Sequence, residues 1–214
     1  MNMIHLWSSL ARLMDYSFSE LETYVGTVQS ALEREKEHFN TWLDRQLSGL
    51  DEEAADERAE LYAEDFSQLS TTFPDIARRS AFLAIYSTFE YWLLALCWQV
   101  QKIEKQPFGP RDMKGDFFGA RIYLERLAGI RMARKPDWQR IVTLREIRNK
   151  LVHEGGNVRR GDMKFLTLVN RTPDVTLDDQ NMVTLTNQFC IDSIATIRTF
   201  LGELVNDLRA KFHD

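Results

Sequence analysis

The stretch PDIARRSAFLAIYSTFEYWLLALCWQVQKIEK, residues Pro74–Lys105, contains the most apolar run of the chain. Its apolar side chains recur at steps of three and four residues, which places them on one face of an α-helix: Phe82, Ile85, Phe89, Trp92, Leu96, Val100 and Ile103. A helix this apolar has to be covered by other elements. We therefore predict that it is the central helix of the fold, and we expect Pro74 to break the chain in front of it.

The sequence before this helix predicts a long helical hairpin. Apolar residues at steps of three, four and seven run along Phe18–Leu47 and indicate one helix of about 30 residues, or about 45 Å, ending near Gly49. A second helix is expected to open at Asp51, with acidic residues in its first turns. We therefore divide the chain into an acidic N-terminal extension, residues 1–73, and a helical bundle, residues 74–214.

Two shorter segments of the second half also predict helices. DFFGARIYLERLAGI, residues 116–130, is one of them, and its inward-facing residues are expected to be Phe118, Ile122 and Leu127. The other helix is expected to start at Asp137 and to end at the Gly155–Gly156 pair, because glycine favours the position after a helix.

The pattern changes after these helices. KFLTLVN, residues 164–170, and NMVTLTNQF, residues 181–189, alternate apolar and polar residues and predict a small β-hairpin. A last amphipathic helix begins near Cys190 and carries isoleucine and leucine at helical spacing. The predicted fold class is therefore all-α: an up-and-down helical bundle with a long N-terminal helical hairpin and a small β-hairpin insertion before the last helix.

The 214-residue chain has a net charge of −5, and the sign of the charge changes along the sequence. Residues 1–110 hold 9 basic and 18 acidic side chains, whereas residues 111–164 hold 14 basic and 7 acidic ones, a local net charge of +7. The negative net charge argues against a protein that coats nucleic acid without sequence preference. The basic block indicates a local contact with a polyanion. Basic side chains on solvated helix faces are the alternative interpretation.

The cysteines and the N-terminus indicate the compartment. Cys97 and Cys190 form no disulfide framework, and Cys97 lies in an apolar run where it is expected to be a small buried hydrophobe. The first 19 residues are too interrupted by polar side chains to span a membrane, and no cleavage site of a secretion signal follows them. We therefore expect a cytoplasmic protein with no membrane partner.

Several catalytic and cofactor motifs are missing from the sequence. It has no glycine-rich phosphate loop, no cysteine and histidine set with metal spacing, and no Gly-x-Ser-x-Gly stretch. The acidic run near Asp51 lacks the spacing of a calcium loop. We predict no cofactor and no metal site, so any chemistry has to come from residues 145–153.

The sequence LREIRNKLVHEGG, Leu144–Gly156, contains the candidate site. On a helix that turns 100° per residue, three residues fall on the core side: Leu144, Ile147 and Leu151. Four polar residues share an arc of about 140° that faces away from the core: Arg145, Arg148, Asn149 and His153. Val152 lies inside this polar arc, which indicates that another surface, such as a second subunit, covers it.

This combination suits RNA cleavage without a metal. The 2′-hydroxyl must lose a proton and the leaving 5′-oxygen must gain one, and a histidine can do either near neutral pH. An arginine stabilises the negative charge that builds on the phosphoryl oxygens. One chain supplies a single suitable histidine, His153, so the site is expected to need two copies. The alternative is structural, because cations are common in the last turn of a helix.

The motif RNKLVH, residues 148–153, resembles the Arg-x4–6-His signature of the HEPN superfamily, in which a polar residue often follows the arginine. The likeness extends over Pro74–Phe212, because a strongly apolar helix precedes the late helix that bears the motif. The resemblance implies an all-α bundle and a homodimer whose two motifs meet. It also implies metal-independent cleavage of RNA in toxin–antitoxin, abortive-infection or CRISPR-linked defence. The predicted hairpin, residues 18–69, has no counterpart in it.

The resemblance assigns roles to individual residues. Arg148 is expected to stabilise phosphate, Asn149 to assist, and His153 to act as acid or base. Glu90 is expected either to be the buried partner of Arg148 or Arg145, or to be a surface residue on the helix flank. Four further cations are expected to support substrate binding: Arg145, Lys150, Arg159 and Arg160.

The leading hypothesis is a metal-independent endoribonuclease that acts on tRNA or mRNA as a homodimer, with an antitoxin or another defence-system protein as partner. One alternative is a non-catalytic helical module that binds RNA or protein, with the acidic hairpin as its recognition arm. A purely structural bundle is the third interpretation. Some toxins of the family have a regulatory tyrosine two places after the histidine, where this chain has Gly155, so regulation through such a tyrosine is not expected.

Overall fold

A computed structural model of the chain describes residues 3–113 and 117–212. The described chain is an all-α bundle with a two-stranded sheet before the last helix, as the sequence predicted. The α-helices are α1 (Met3–Leu47), α2 (Glu52–Leu61), α3 (Ala63–Ser67), α4 (Phe73–Ile103), α5 (Phe117–Leu127), α6 (Trp138–Glu154), α7 (Met163–Arg171) and α8 (Asn187–Lys211). The strands are β1 (Val175–Leu177) and β2 (Val183–Leu185).

The central element is α4, which confirms the prediction made from its apolar run. It packs against α1, α5, α6 and α8. Its predicted inward face is buried, and only the last of the predicted residues is half-exposed. The ring of Phe89 is at the centre of this packing, with its centroid 6.0 Å from that of Phe117 on α5 and 6.2 Å from that of Phe200 on α8.

The expected chain break at Pro74 is wrong. A π-helical turn, Gln68–Thr72, joins α3 to α4, and Pro74 lies in the first turn of α4. The N–H of Phe73 bonds to the carbonyl of Gln68, five residues earlier, so the hydrogen-bond pattern changes at this junction and the missing N–H of Pro74 falls where α4 begins. This helical run, Ala63–Ile103, is long and apolar enough to cross a membrane by length and composition, but half of its most apolar window is buried inside the bundle.

The first helix begins earlier than predicted, at Met3 instead of near Phe18, and its 45 residues span about 67 Å. The sequence before Phe18 is helical because it also has an apolar face that packs in the core: Trp7 and Met14 are both buried. These side chains belong to the same hydrophobic core as α4 and α8. The core is thus shared across the boundary predicted at residue 73.

The far half of α1 forms the hairpin that the sequence predicted. The α2 helix starts after Asp51, whose side chain accepts a hydrogen bond from the backbone N–H of Ala54 at 2.9 Å. The hairpin is held by aromatic contacts, among them an edge-on contact of Trp42 with Tyr62 at 4.8 Å between ring centroids. The side chains of α2 and α3 are all half-buried or exposed, so this part of the molecule is an arm beside the core.

Two predictions about the second half of the chain need correction. The helix α5 forms where expected, but Phe118 is exposed and Ile122 and Leu127 are only half-buried. The buried face consists of the neighbouring residues Phe117, Gly119, Ala120, Tyr123 and Leu124. Residues 164–170 are not a strand either, because they lie in α7, where Phe165 and Val169 are buried four residues apart. The hairpin instead pairs β1 with β2 in antiparallel register.

The cysteines are fully buried, as expected for Cys97. Burial raises the pKa of the thiols of both Cys97 and Cys190 to about 12. Both side chains are therefore neutral thiols at physiological pH, and neither is a reactive nucleophile.

The packing of α4 predicts the outcome of two substitutions on its opposite faces. Phe89→Ala removes a fully buried ring and is expected to lower the free energy of unfolding by about 3–5 kcal/mol. Tyr91→Ala, at a residue that is 58% exposed, is expected to change it by less than about 1 kcal/mol. Urea unfolding followed by circular dichroism measures both. Equal losses for the two variants would contradict the central position of α4.

Candidate functional site

The candidate site lies at the C-terminal end of α6, and the end of that helix is fixed by its glycines. Gly155 and Gly156 have φ of 62° and 87°, and both backbone N–H groups donate to the carbonyl of Lys150. Arg79 of α4 donates to the carbonyl of Gly155 at 3.3 Å. A Cβ on Gly156 would lie 3.2 Å from the Arg79 guanidinium, so the turn fits closely against α4. The predicted end of this helix is confirmed.

Arg148 is held between α6 and α4. Its Nη2 lies 3.2 Å from Oε2 of Glu90, and its guanidinium lies over the ring of Tyr86 at 5.7 Å. The side chains of Arg148 and Glu90 are 22% and 19% exposed. Of the two expectations for Glu90, the structure therefore supports the partly buried partner of an arginine, and that arginine is Arg148. A carboxylate in an apolar helix needs such a partner, because an unpaired charge there is costly.

Asn149 and His153 lie on the side of α6 that faces α7. Oδ1 of Asn149 accepts a hydrogen bond from Nη1 of Arg148 at 3.2 Å. His153 is one turn further along and is exposed. Both residues line a groove of about 280 Å³ between α6 and α7, which also has Lys164 and Phe165 in its wall. We call it the α6–α7 groove. Arg148, Asn149 and Glu90 thus form a connected group, with an exposed imidazole next to it.

The predicted polar arc of α6 is less exposed than expected. The helical wheel placed both arginines toward solvent, but Arg145 and Arg148 are each half-buried. The guanidinium of Arg145 lies over the ring of Phe118 at 4.5 Å, and it pairs with Glu146 at 3.3 Å. Arginine can be covered in this way because its planar, weakly hydrated group stacks on aromatic rings. Arg145 therefore lies on the α5 side of the helix, away from the α6–α7 groove.

Lys150 occupies a structural position. It is only 6% exposed, and its Nζ lies 2.8 Å from both Glu154 and Asp162 and 4.8 Å from the centroid of the Phe165 ring. Burial opposes the charge, but the hydrogen bonds with Asp162 and Glu154 outweigh it and raise the pKa of Lys150 above its ordinary value. Lys150 therefore fixes α7 against α6 and lines the α6–α7 groove, and its expected role in substrate binding stays a prediction.

The remaining predicted cations, Arg159 and Arg160, are both exposed in the turn between α6 and α7. They lie after the end of α6 and before Asp162, which caps α7 by accepting a hydrogen bond from the backbone N–H of Phe165 at 3.1 Å. Their positions fit contact with an extended anion that passes over this turn.

Lys164 and Phe165 were missed as site residues because the sequence pattern predicted a strand here. A signal was present: Asp162 stands three residues before Phe165, which is the usual position of an N-cap residue, and Phe165 and Val169 are four residues apart. That four-residue spacing favours a helix. In the structure, the first turn of this helix lines the same groove as Asn149 and His153.

The chain was compared with protein-family models, with curated proteins and with solved structures, and nothing matched in any of the three comparisons. The resemblance to the HEPN superfamily therefore rests on the sequence pattern around Arg148 and His153. Among residues 3–113 and 117–212, no group of three or more His, Cys, Asp or Glu side chains is placed to hold a metal ion.

The ion pair of Lys150 with Asp162 predicts a pH-dependent stability. The hydrogen bond from Lys150, followed by that from the N–H of Phe165, lowers the pKa of Asp162 below its ordinary value. A carboxyl group with a lowered pKa stabilises the fold above its ordinary value, near 4, and loses this effect as the pH falls through the lowered value. Asp162→Asn, which keeps the helix cap, should cost about 1 kcal/mol at pH 7.

The cost of Asp162→Asn should shrink in acid, as the wild-type carboxylate becomes protonated. Urea unfolding at pH 7 and at about pH 3 measures the difference in the free energy of unfolding between the variant and the wild type, which should be smaller at the lower pH. Asp179→Asn, at an exposed residue of the hairpin turn, is the matched control and should have little effect at either pH. A cost of Asp162→Asn that stays constant with pH would contradict the ion pair.

Proposed function

We propose that the chain is an endoribonuclease of the HEPN type that cleaves RNA without a catalytic metal, in a toxin or antiphage-defence module. The observation that carries the proposal is the arrangement of the Arg-Asn-x3-His motif. Arg148 is fixed by Glu90 and by Asn149 at the end of α6, and His153 is exposed one turn away at the α6–α7 groove.

In the proposed reaction, the 2′-oxygen of the substrate attacks the adjacent phosphorus atom and the bond to the 5′-oxygen breaks. A base takes the proton from the 2′-hydroxyl, and an acid gives a proton to the leaving 5′-oxygen. The products are a 2′,3′-cyclic phosphate and a free 5′-hydroxyl. Arg148 donates hydrogen bonds to the non-bridging oxygens, whose charge grows in the transition state, and Asn149 orients that arginine. His153 carries one of the two protons.

The second proton carrier comes, in this proposal, from a second copy of the chain. His5 and His38 are exposed on α1, which does not line the α6–α7 groove, so among residues 3–113 and 117–212 His153 is the histidine available at this site. Two copies that meet at the ends of their α6 helices bring two imidazoles to one phosphate. Val152, which is 48% exposed between the polar residues, supplies an apolar contact for such a homodimer.

The substrate class in this proposal is single-stranded RNA, such as a tRNA loop or an mRNA. The local charge of +7 on residues 111–164 attracts the phosphate backbone, and the exposed Arg159 and Arg160 extend that attraction beyond the motif. We place the protein in the cytoplasm, where an antitoxin or another defence protein would restrain its activity.

One observation favours a second candidate function, a non-catalytic module that binds RNA or protein. The guanidinium of Arg148 is about four-fifths covered and already donates to Glu90 and to Asn149. An arginine with these contacts also serves well as a structural link between α4 and α6. In this candidate the basic block binds RNA, and its affinity falls steeply with salt.

Cleavage assays test the proposal. Purified protein is incubated with tRNA and mRNA in EDTA, and the 3′ ends of the products are identified. Cleavage that leaves 2′,3′-cyclic phosphates is expected, and both Arg148→Ala and His153→Ala are expected to reduce its rate by at least about 100-fold. Arg126→Ala on α5 and His38→Ala on α1, both at exposed residues outside the site, are the matched controls and should keep wild-type activity.

Three other outcomes of these assays would contradict the proposal or support the second candidate. Intact RNA after incubation with folded wild-type protein, both in EDTA and with magnesium, contradicts the enzyme. Salt-sensitive RNA binding without turnover then supports the second candidate. Cleavage that persists in His153→Ala contradicts the proposed role of the histidine.

A further inference from the structure

The far half of the helical hairpin has no buried residue. It consists of the end of α1 together with α2, α3 and the π-helical turn, residues 29–72, and we call it the arm. The first half of α1 contributes Trp7, Met14 and Phe18 to the core, each at most 4% exposed. In the arm, by contrast, every side chain is exposed or half-buried. The arm follows α1 from residue 29 to residue 47, a length of about 28 Å.

The arm nevertheless contains a cluster of four aromatic rings. The ring centroid of Trp42 lies 5.7 Å from that of Phe39 and 4.8 Å from that of Tyr62. The centroids of Phe39 and Phe66 are 6.5 Å apart. These rings come from both sides of the hairpin and form its seam. Trp42 and Phe66 remain 38% and 40% exposed, so the seam is apolar but only partly covered.

A partly covered seam of this kind lacks a third element. Helices in proteins gain most of their stability from the burial of an apolar face, at about 25 cal/mol per Å² of apolar surface. In the bundle, α4 is covered by α1, α5, α6 and α8. In the arm, two helical segments cover each other and leave part of Trp42 and Phe66 in solvent. A third helix laid along the seam would bury these rings, as helices do when they pack against a helical pair.

The charge of the arm defines the chemistry of such a partner. Residues 33–65 hold 12 acidic and 4 basic side chains, a net charge of −8, and all of the acidic side chains are exposed. In the part of the chain that the structure describes, none of these carboxylates forms an ion pair. Like charges at this density repel one another, so a cationic partner relieves the repulsion when it binds.

Two of the carboxylates stand beside the aromatic seam. Glu35 precedes Phe39 by four residues on α1, and Asp65 follows Tyr62 by three residues, so each shares a helix face with a ring of the cluster. The charge also argues against other occupants of the seam. RNA and anionic lipid are repelled by it, and a second copy that paired arm to arm would bring the same negative charge.

We infer that the arm is a docking site for a basic amphipathic helix of a partner protein. The apolar side chains of that helix lie on Trp42 and Phe66, and its lysine or arginine side chains pair with Glu35 and Asp65 at the flanks of the seam. The length of the arm accommodates about five helical turns of the partner. This docking is separate from the Arg148 and His153 motif and does not depend on cleavage.

Binding of designed peptides to the full chain tests the inference. One fluorescein-labelled peptide of about 18 residues has leucine at helical spacing and lysine at the other positions, and a second has glutamate in place of every lysine. Fluorescence anisotropy measures both. The Leu/Lys peptide is expected to bind saturably with a Kd below about 10 μM, and at least about 30-fold more tightly than the Leu/Glu peptide.

Ring variants locate the docking site. Trp42→Ala and Phe66→Ala should each weaken binding of the Leu/Lys peptide about tenfold, because each removes apolar surface that the peptide covers. Tyr91→Ala is the matched control, at a ring that is 58% exposed on α4 outside the arm, and it should bind as the wild type does. Circular dichroism checks that each variant is folded.

Charge variants test the same site without removing a ring. The double variant Glu35→Gln, Asp65→Asn should weaken binding of the Leu/Lys peptide about fivefold at low salt. The control Glu104→Gln, Asp179→Asn removes the same charge at exposed residues outside the arm and should bind as the wild type does.

Several results would overturn the inference. The Leu/Lys peptide does not bind the folded wild type at about 100 μM, the Leu/Glu peptide binds as tightly, or the ring variants or the charge variant of the arm bind as the wild type does. If Trp42→Ala instead loses affinity for an RNA oligonucleotide, or loses self-association, and still binds the peptide, the arm serves RNA or a second copy and the inference fails.

Discussion

The candidate site depends on one interaction, the ion pair of Glu90 on α4 with Arg148 on α6. Glu90 is a carboxylate on the most apolar helix of the protein, whose other inward residues form the core. Because burial of an unpaired charge is costly, the carboxylate and the guanidinium hold each other at the boundary of the core. The same contact fixes which side of α6 faces α4, and so it directs Asn149 and His153 toward α7.

A second set of contacts gives the site its other wall. Lys150 joins α6 to α7 through Asp162, and Asp162 also caps α7. These contacts place Lys164 and Phe165 opposite His153. The core therefore positions the arginine, whereas a buried lysine positions the groove.

Much of this arrangement could be predicted from the sequence, and the missing part has physical reasons. The spacing of apolar residues predicted α4, and the Gly155–Gly156 pair predicted the end of α6. The apolar-polar alternation in residues 164–170 fitted a strand and a helix alike, and tertiary burial of Phe165 decided for the helix. The pairing of Arg148 with Glu90 joins residues 58 positions apart, a contact that spacing along a single helix does not determine.

The central claim is that the ends of two α6 helices meet and complete one site, and a cross-linking measurement tests it most directly. Val152→Cys places a thiol at this end, and Cys97 and Cys190 do not interfere because burial raises their pKa to about 12. Under mild oxidation we predict a disulfide-linked dimer on a non-reducing gel, formed much faster than with Leu13→Cys, at a residue 55% exposed on α1. Equal rates for the two folded variants would contradict the account.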